Sequence, residues 1–395
     1  MTANVWYTPP TLSRHATGSD GKPDPRTPVG VVAPNYGLEH VSYLMQLESY
    51  RHIKIHRLPL HRLERGGTFW DKTPIVIGAR VPLVHTFNMI PMTGPPFVMT
   101  FEMEIPYYLG RHRPWQHAIG HRLMASDRCR GLLSFSDTAA DLARARFTDL
   151  GRPEIAARIE TFRGGVLPSL SDAPRSYSDG DTPLRLLFVG ADGIRKGLAP
   201  LLDAVEALQN RGANVELTVV SSLVETSYVG GAYNPPVGEL RARLERPWVH
   251  YKRSLPYADV RAAMGRHDLL MLPSLDETLG WVVIEAAMER MGTITTNAFA
   301  LPELVDDTVT GRILKLPLGD NKRWAGLFRS DRRKIFDDTL AGLQHGMEEA
   351  LQKVLDDRGT LRRWGEAAHD KLSSLYHTDV AARDLGKIYD RALGR

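Results

Sequence analysis

Short apolar runs alternate with stretches of helical periodicity along this chain, twice over, with one polar tract between the two series. Runs at 29–33, 54–58, 75–77, 83–85, 97–101 and 131–135 read as buried strands. The spacing predicts helices over 40–50 and 138–147, the second with Ser136 or Asp137 at its N-cap. The pattern restarts with strands at 185–189, 215–220, 249–251, 269–272, 293–296 and 312–314, and helices over 198–210, 257–265 and 281–289. Apolar residues return at helical spacing over 361–375 and 380–393. Strands joined by helical crossovers form parallel sheets covered on both faces. The expected class is therefore α/β, with two doubly wound, Rossmann-like domains facing across a cleft. A length of 395 residues agrees, because single cores stop growing near roughly 250–300 residues. The tract LPSLSDAPRSYSDGDTP at 167–183 is polar and aperiodic, as a linker is. The expected organisation is a flexible segment 1–27, a first domain 28–170, a linker 171–183, a second domain 184–376 and a closing helix 377–395.

Composition removes several classes. A single cysteine, Cys129, excludes an internal disulfide and any cysteine-cluster metal site. The first residues are polar and proline-rich with no apolar signal core, and no run reaches the roughly 18 apolar residues of a spanning helix. Together with a mean hydropathy of −0.26, this gives the expectation of a cytoplasmic protein. Charge is uneven: residues 1–180 carry 21 Lys and Arg against 16 Asp and Glu, whereas 181–395 carry 29 against 30. Within 51–130 the balance is 12 to 5. Such an excess suits a plain solvated face, a phosphate-bearing partner, or peripheral contact with an anionic membrane. No interleaving of basic and aromatic residues marks a nucleic-acid surface.

Two segments carry chemistry. LFVGADGIRKG at 187–197 runs a strand into a glycine-punctuated loop, two adjacent cations and a helix start. Gly190 permits close backbone approach. Arg195 supplies a planar fork and Lys196 a mobile point charge, which together suit a diphosphate. The same pattern fits a strand–helix turn with solvent-facing charges, and no G-x-x-x-x-G-K-[ST] sequence marks an ATPase loop. The second segment, LLMLPSLDETLGWVVIE at 269–285, ends a buried strand at Pro273, passes an acidic loop and opens a helix at Gly280. Amides near Leu279, Gly280, Trp281 and Val282 suit phosphate. Glu277 lies at the mouth of that helix, and Glu285, deeper in it, suits a ribose diol, whose two hydroxyls both donate.

The Glu277-x7-Glu285 stretch, with FVG-x4-RKG, VHYKRSLPYADVRAAMGRHDLLMLPS and GTITTNAFALPELVDDTVTGRIL around it, resembles the donor-binding signature of retaining family 4 glycosyltransferases across 184–316. The resemblance implies the glycosyltransferase B fold, with a nucleotide diphospho-sugar as substrate and no cofactor or metal. It implies that Glu277 sits beside the transferred sugar, Glu285 binds ribose, and Arg195 and Lys196 hold the diphosphate. It also implies that the base lies against Tyr251, Lys252, Arg253 and Leu255, and that the closing helix crosses back onto the first domain. In the first domain, NYGLEH at 35–40 resembles the family's glycine-glycine-x-glutamate loop with Tyr36 in place of the first glycine, leaving Gly37 to approach the diphosphate. FVMTFE at 97–102 resembles a strand that ends in Thr-x-His, with Glu102 where the family has histidine.

The implied function is retaining transfer from a UDP- or GDP-sugar to an acceptor hydroxyl, in exopolysaccharide, glycolipid or natural-product glycoside synthesis. A nucleotide-sugar epimerase of the same fold, or a non-catalytic nucleotide-sugar binder, is the alternative. Glu39, Glu102 and Glu104 are the acceptor-side candidates, and a salt bridge explains the last two equally well. His117 and His121 share a helix face with His112 one turn before, but no carboxylate or cysteine at nearby spacing completes a metal set. The YVGGAYNPP stretch at 228–236 suits a mobile lid and a plain surface loop alike.

Overall fold

A computed structural model describes residues 24–32, 45–110, 113–169, 175–225, 227–329 and 331–395. Contacts divide the chain into two units, Met1–Val166 with Tyr376–Arg395, and Leu167–Leu375.

The first unit holds β1 (Thr27–Val32), β2 (Tyr50–Arg57), β3 (Val76–Ile77), β4 (Leu83–Phe87), β5 (Phe97–Phe101), β6 (Cys129–Ser134) and β7 (Ile159–Thr161). They form one sheet in the order β3-β2-β1-β4-β5-β6-β7. Every pairing is parallel except the short β2–β3 edge. Two crossover helices are α1 (Pro114–Ala125) and α2 (Asp137–Asp149), and Ser136 caps α2 by accepting from the Ala139 amide at 3.1 Å. β4 and β5 are buried along their whole length, which explains their near-continuous apolar sequence.

The second unit holds β8 (Leu184–Val189), β9 (Val215–Val220), β10 (Val249–Lys252), β11 (Leu269–Leu272), β12 (Gly292–Thr296) and β13 (Gly311–Leu314). Their order is β10-β9-β8-β11-β12-β13, all parallel. Around them run α3 (Leu198–Asn210), α4 (Tyr257–Arg266), α5 (Trp281–Met288), α6 (Arg332–Asp356) and α7 (Gly359–Tyr376). The 25-residue α6, which packs along α3, was not expected over 332–356, although its buried Phe336, Leu343, Met347 and Val354 fall at helical spacing. The described end of the 171–183 tract is tied into this unit: Arg175 donates to the Met264 carbonyl at 2.9 Å, and the Ser178 amide to Asp268 at 2.9 Å.

One expected helix needs correction. Most of 40–50 lies outside the described residues, but 45–49 is not helical and Tyr50 opens β2. Tyr50 is buried there, because its ring meets Tyr389 edge-on at 5.2 Å and its hydroxyl bonds Asp390. Those partners lie on the final helix, α8 (Thr378–Leu393), which packs on β4 and β6 of the first unit. Tyr389 also places its hydroxyl 2.8 Å from His52 Nε2 and 2.7 Å from His85 Nδ1. Burial holds both imidazoles well below their ordinary pKa, His52 at about 3.

Candidate active site

In the second sheet, chain order runs outward from β8 in one direction and from β11 in the other. The loops after β8 and β11 therefore leave the sheet side by side and diverge, making the crevice in which parallel α/β sheets hold ligands. The two motifs are those two loops, 190–197 and 273–280.

Tight backbone packing makes the approach possible. Gly197, at φ 77°, opens α3, and a Cβ there would lie 2.2 Å from the Pro273 carbonyl oxygen. The Leu275 amide then donates to the Arg195 carbonyl at 2.9 Å. Gly190 leaves room for the Lys196 stem, since a Cβ at 190 would stand 2.9 Å from Lys196 Cγ. The outcome is direct: the Lys196 ammonium bonds the Glu277 carboxylate, with Arg195 Nη1 3.8 Å from the same oxygen. Arg195 also donates to the Asp276 carbonyl at 2.7 Å, and its amide donates to Asp192 Oδ1 at 3.0 Å.

Lys196 and Glu277 are 9% and 7% exposed, so the charges meet in a nearly dry site. Burial raises a carboxyl, yet the attraction of Lys196 and Arg195 outweighs it and holds Glu277 below the ordinary carboxylate range. Burial lowers Lys196 below an ordinary lysine even against the pull of Glu277. For Arg195, burial works downward, and the surrounding acids, Glu277 first, carry it upward.

Neighbouring strand ends are stitched to this crevice. Tyr251 donates its hydroxyl to the Ser221 carbonyl at 2.9 Å, and Ser221 Oγ reaches the Ala191 carbonyl at 3.3 Å. Lys252 and Arg253 follow on the surface and Leu255 is half-buried. Gly280, at φ 93°, opens α5, whose first turn brings the amides of 279–282 to the same edge. Glu285 lies further along α5, against Tyr257 and Arg261. Burial pushes its carboxyl up to about 7 while both neighbours pull it down. Because Tyr257 begins α4 directly after the 251–255 segment, Glu285 and that segment are neighbours.

Three residues outside the sequence expectation join the site. Asp276, 3% exposed, accepts from Arg323 Nε at 2.9 Å and from Arg323 Nη2 at 2.5 Å, and also takes the Tyr228 hydroxyl. Tyr228 thereby fixes one end of the 228–236 stretch to the acidic loop. In sequence, Asp276 signals itself only by standing beside Glu277; its partners lie 47 and 48 positions away.

The first-unit candidates separate. Gly37 and Glu39 lie outside the described residues, as does His112. Glu102 follows β5 and exchanges bonds with Asn88, its amide to Asn88 Oδ1 at 3.3 Å and Asn88 Nδ2 to its carboxylate at 3.4 Å. Glu104 is exposed and meets Arg146 at 3.5 Å. His117 and His121 stand 6.3 Å apart and face Tyr108 and Phe147. Among the described residues no three metal-ligating side chains cluster.

Residues 183–328 match the family model described as glycosyl transferases group 1, overlapping the 184–316 stretch on which the resemblance rests. This stretch is therefore similar to a group 1 glycosyltransferase domain. The matched residues include both loops that meet at the β8–β11 crevice. Over 204 residues the chain is 23% identical to alpha-maltose-1-phosphate synthase of Mycobacterium tuberculosis, covering 51% of this chain and 46% of that protein. It thus spans about half the length of that relative. Among solved structures, sucrose-phosphate synthase from Thermosynechococcus elongatus is similar with a TM-score of 0.60 at 13% identity, covering 93% of this chain and 100% of the other. HepE of Anabaena, solved in complex with UDP-glucose, is similar with a TM-score of 0.58 at 12% identity over 92% of this chain and 100% of its own. At such identities the likeness is one of fold, and the fold is glycosyltransferase B.

Proposed function

We propose that the protein transfers a sugar, with retention of anomeric configuration, from a nucleotide diphospho-sugar to an acceptor hydroxyl. The observation that carries this reading is the convergence of Lys196 and Arg195 on Glu277 at the β8–β11 crevice. The complex of HepE with UDP-glucose supports a nucleotide-sugar donor for a chain of this fold.

The two cations meet Glu277 from one side. An entering diphosphate offers them a second anion, and the helix-opening amides of 279–282 add further donors. As the bond from the anomeric carbon to the phosphate oxygen breaks, charge grows on that oxygen, and fixed cations in a water-poor site stabilise it without reorganising. The acceptor oxygen attacks from the same face, and its proton passes to the departing phosphate oxygen. Glu277 stays ionised beside the sugar, where negative charge favours an electron-deficient anomeric carbon. Glu285 accepts from the ribose diol, and the base lies along 251–255. The leaving-group charge is met by side chains and amides, so turnover persists in a chelator.

Thermal-shift measurement with UDP, GDP, ADP and TDP tests the reading, since a ligand that binds only the native state raises its melting temperature. One diphosphate should stabilise the native protein and fail to stabilise Lys196→Ala, which should also lose transfer. Losing one such donor costs about 3 kcal/mol in the barrier. Near-normal turnover in that folded variant would remove Lys196 from the assignment.

A further inference from the structure

In the first unit, the turn after β2 and the loop after β5 leave the same edge of the sheet and are bound together. The Leu109 amide donates to Thr68 Oγ1 at 2.7 Å, and Gly67 bridges Gly110. Trp115, in the first turn of α1, meets the buried ring of Phe69 at 5.1 Å. Around this junction three large apolar side chains are left to solvent: Leu63 is 79% exposed, Leu109 48% and Trp115 48%. Exposed apolar groups gathered in one place mark an interaction surface rather than chance.

The charges beside them have one sign. Arg62, Arg65 and Arg113 are exposed, and among the described residues no carboxylate pairs with any of them. The acids nearest in sequence are engaged elsewhere. Glu64 accepts the amides of Phe69 and Trp70 at 2.6 and 2.8 Å, and Asp71 is held by Arg57 at 3.0 Å and Lys72 at 3.5 Å.

We infer that this edge docks on an anionic bilayer, with Leu63, Leu109 and Trp115 entering the interface and Arg62, Arg65 and Arg113 meeting lipid phosphates. The pairing of apolar tips with exposed guanidiniums selects this partner. A neutral protein face would bury the arginines without counter-charge, and a nucleic acid would offer phosphates but no apolar layer for Leu63 and Leu109. The inference stands apart from sugar transfer, because vesicle binding is measured without donor and neither result decides the other.

Flotation of the full chain with vesicles of phosphatidylcholine alone, or of phosphatidylcholine mixed with phosphatidylglycerol, tests it. Binding is expected on the mixed vesicles and should weaken with added salt. Removing one cation should lower partitioning about fivefold, so Arg62→Gln with Arg65→Gln should lower it about 25-fold. Leu63→Ser should weaken binding with no change in melting temperature. Equal partitioning onto neutral vesicles, absence of flotation, or binding unmoved by these variants overturns the inference. So does a dimer in gel filtration that Leu63→Ser dissolves, which would assign the edge to a second copy of the chain.

Discussion

The ammonium of Lys196 bonds the carboxylate of Glu277 across 81 positions of sequence, at the point where the second sheet reverses its strand order. Each charge is buried and each is the other's main compensation. Removing one partner of such a pair costs more than removing both, because the survivor is left desolvated and unpaired.

Lys196→Met should therefore destabilise the protein by about 3 kcal/mol, leaving Glu277 with Arg195 at 3.8 Å. The double variant Lys196→Met with Glu277→Gln should recover much of that stability while transfer stays lost. Urea unfolding of the four members of the cycle checks this. Additive effects would mean that the pair is not coupled.

Two glycines at the ends of one loop should fail differently. At Gly197 a methyl group would meet the backbone of Pro273, and the positive φ adds strain, so Gly197→Ala should cost about 2 kcal/mol or more in stability. At Gly190 the nearest atoms to the new methyl belong to the Lys196 stem rather than to backbone. Gly190→Ala should keep its melting temperature within a few degrees while nucleotide binding weakens several-fold by calorimetry. A reversed ranking would contradict the packing described.

Glu285 links pH to both stability and binding. Its carboxyl is raised to about 7 in the fold from an ordinary value of 4.5, so between those values the folded state holds a proton that the unfolded chain has released. Its contribution is present at low pH and is lost as pH rises through 7, with a slope of at most about 1.4 kcal/mol per pH unit. Glu285→Gln should flatten the melting-temperature profile between pH 5 and 8 and raise KM for the donor more than it lowers kcat. Donor affinity of the native protein should improve as pH rises through 7, when the carboxylate that accepts from the ribose forms. An unchanged KM in the glutamine variant would remove Glu285 from ribose binding.

The first unit should respond in the opposite sense. His52, at about 3, and His85 are held neutral in the fold while their unfolded forms take protons near 6.5. Stability from these groups is full above about 6.5 and falls as pH drops toward 3, by about 1.4 kcal/mol per pH unit for each proton taken up. Tyr389→Phe removes the hydroxyl that both imidazoles meet and should cost about 1–3 kcal/mol at neutral pH. Melting temperatures at pH 7, 6 and 5 check both statements, and a flat profile would refute the first.

Both sheets were legible because their central strands are buried on two faces and so read as unbroken apolar runs bounded by turn residues. The motif loops were legible for a related reason: a glycine before Arg195 and Lys196, and another opening the helix after Glu277, are local demands of backbone geometry. The two-residue β3 was read at 75–77, unlike the three-residue β7. The latter was not expected, since three residues at a sheet edge leave no periodicity to read. Asp276 reads as one more loop acid until Arg323 and Tyr228 close on it, and Tyr389 as one more amphipathic-helix residue until two histidines share its hydroxyl.

By itself the amino-acid sequence determined much of what short-range physics controls: the identity of most strands and of the helices around the motif loops, the double α/β pattern, and the chemistry the two motif loops carry. The tertiary structure alone decided which loops become neighbours, and hence that Lys196 meets Glu277 while Glu102 turns to Asn88 and Glu104 to Arg146. Pairing of that kind depends on strand order and on which charges are removed together from water, and neither quantity is a property of any local stretch of chain.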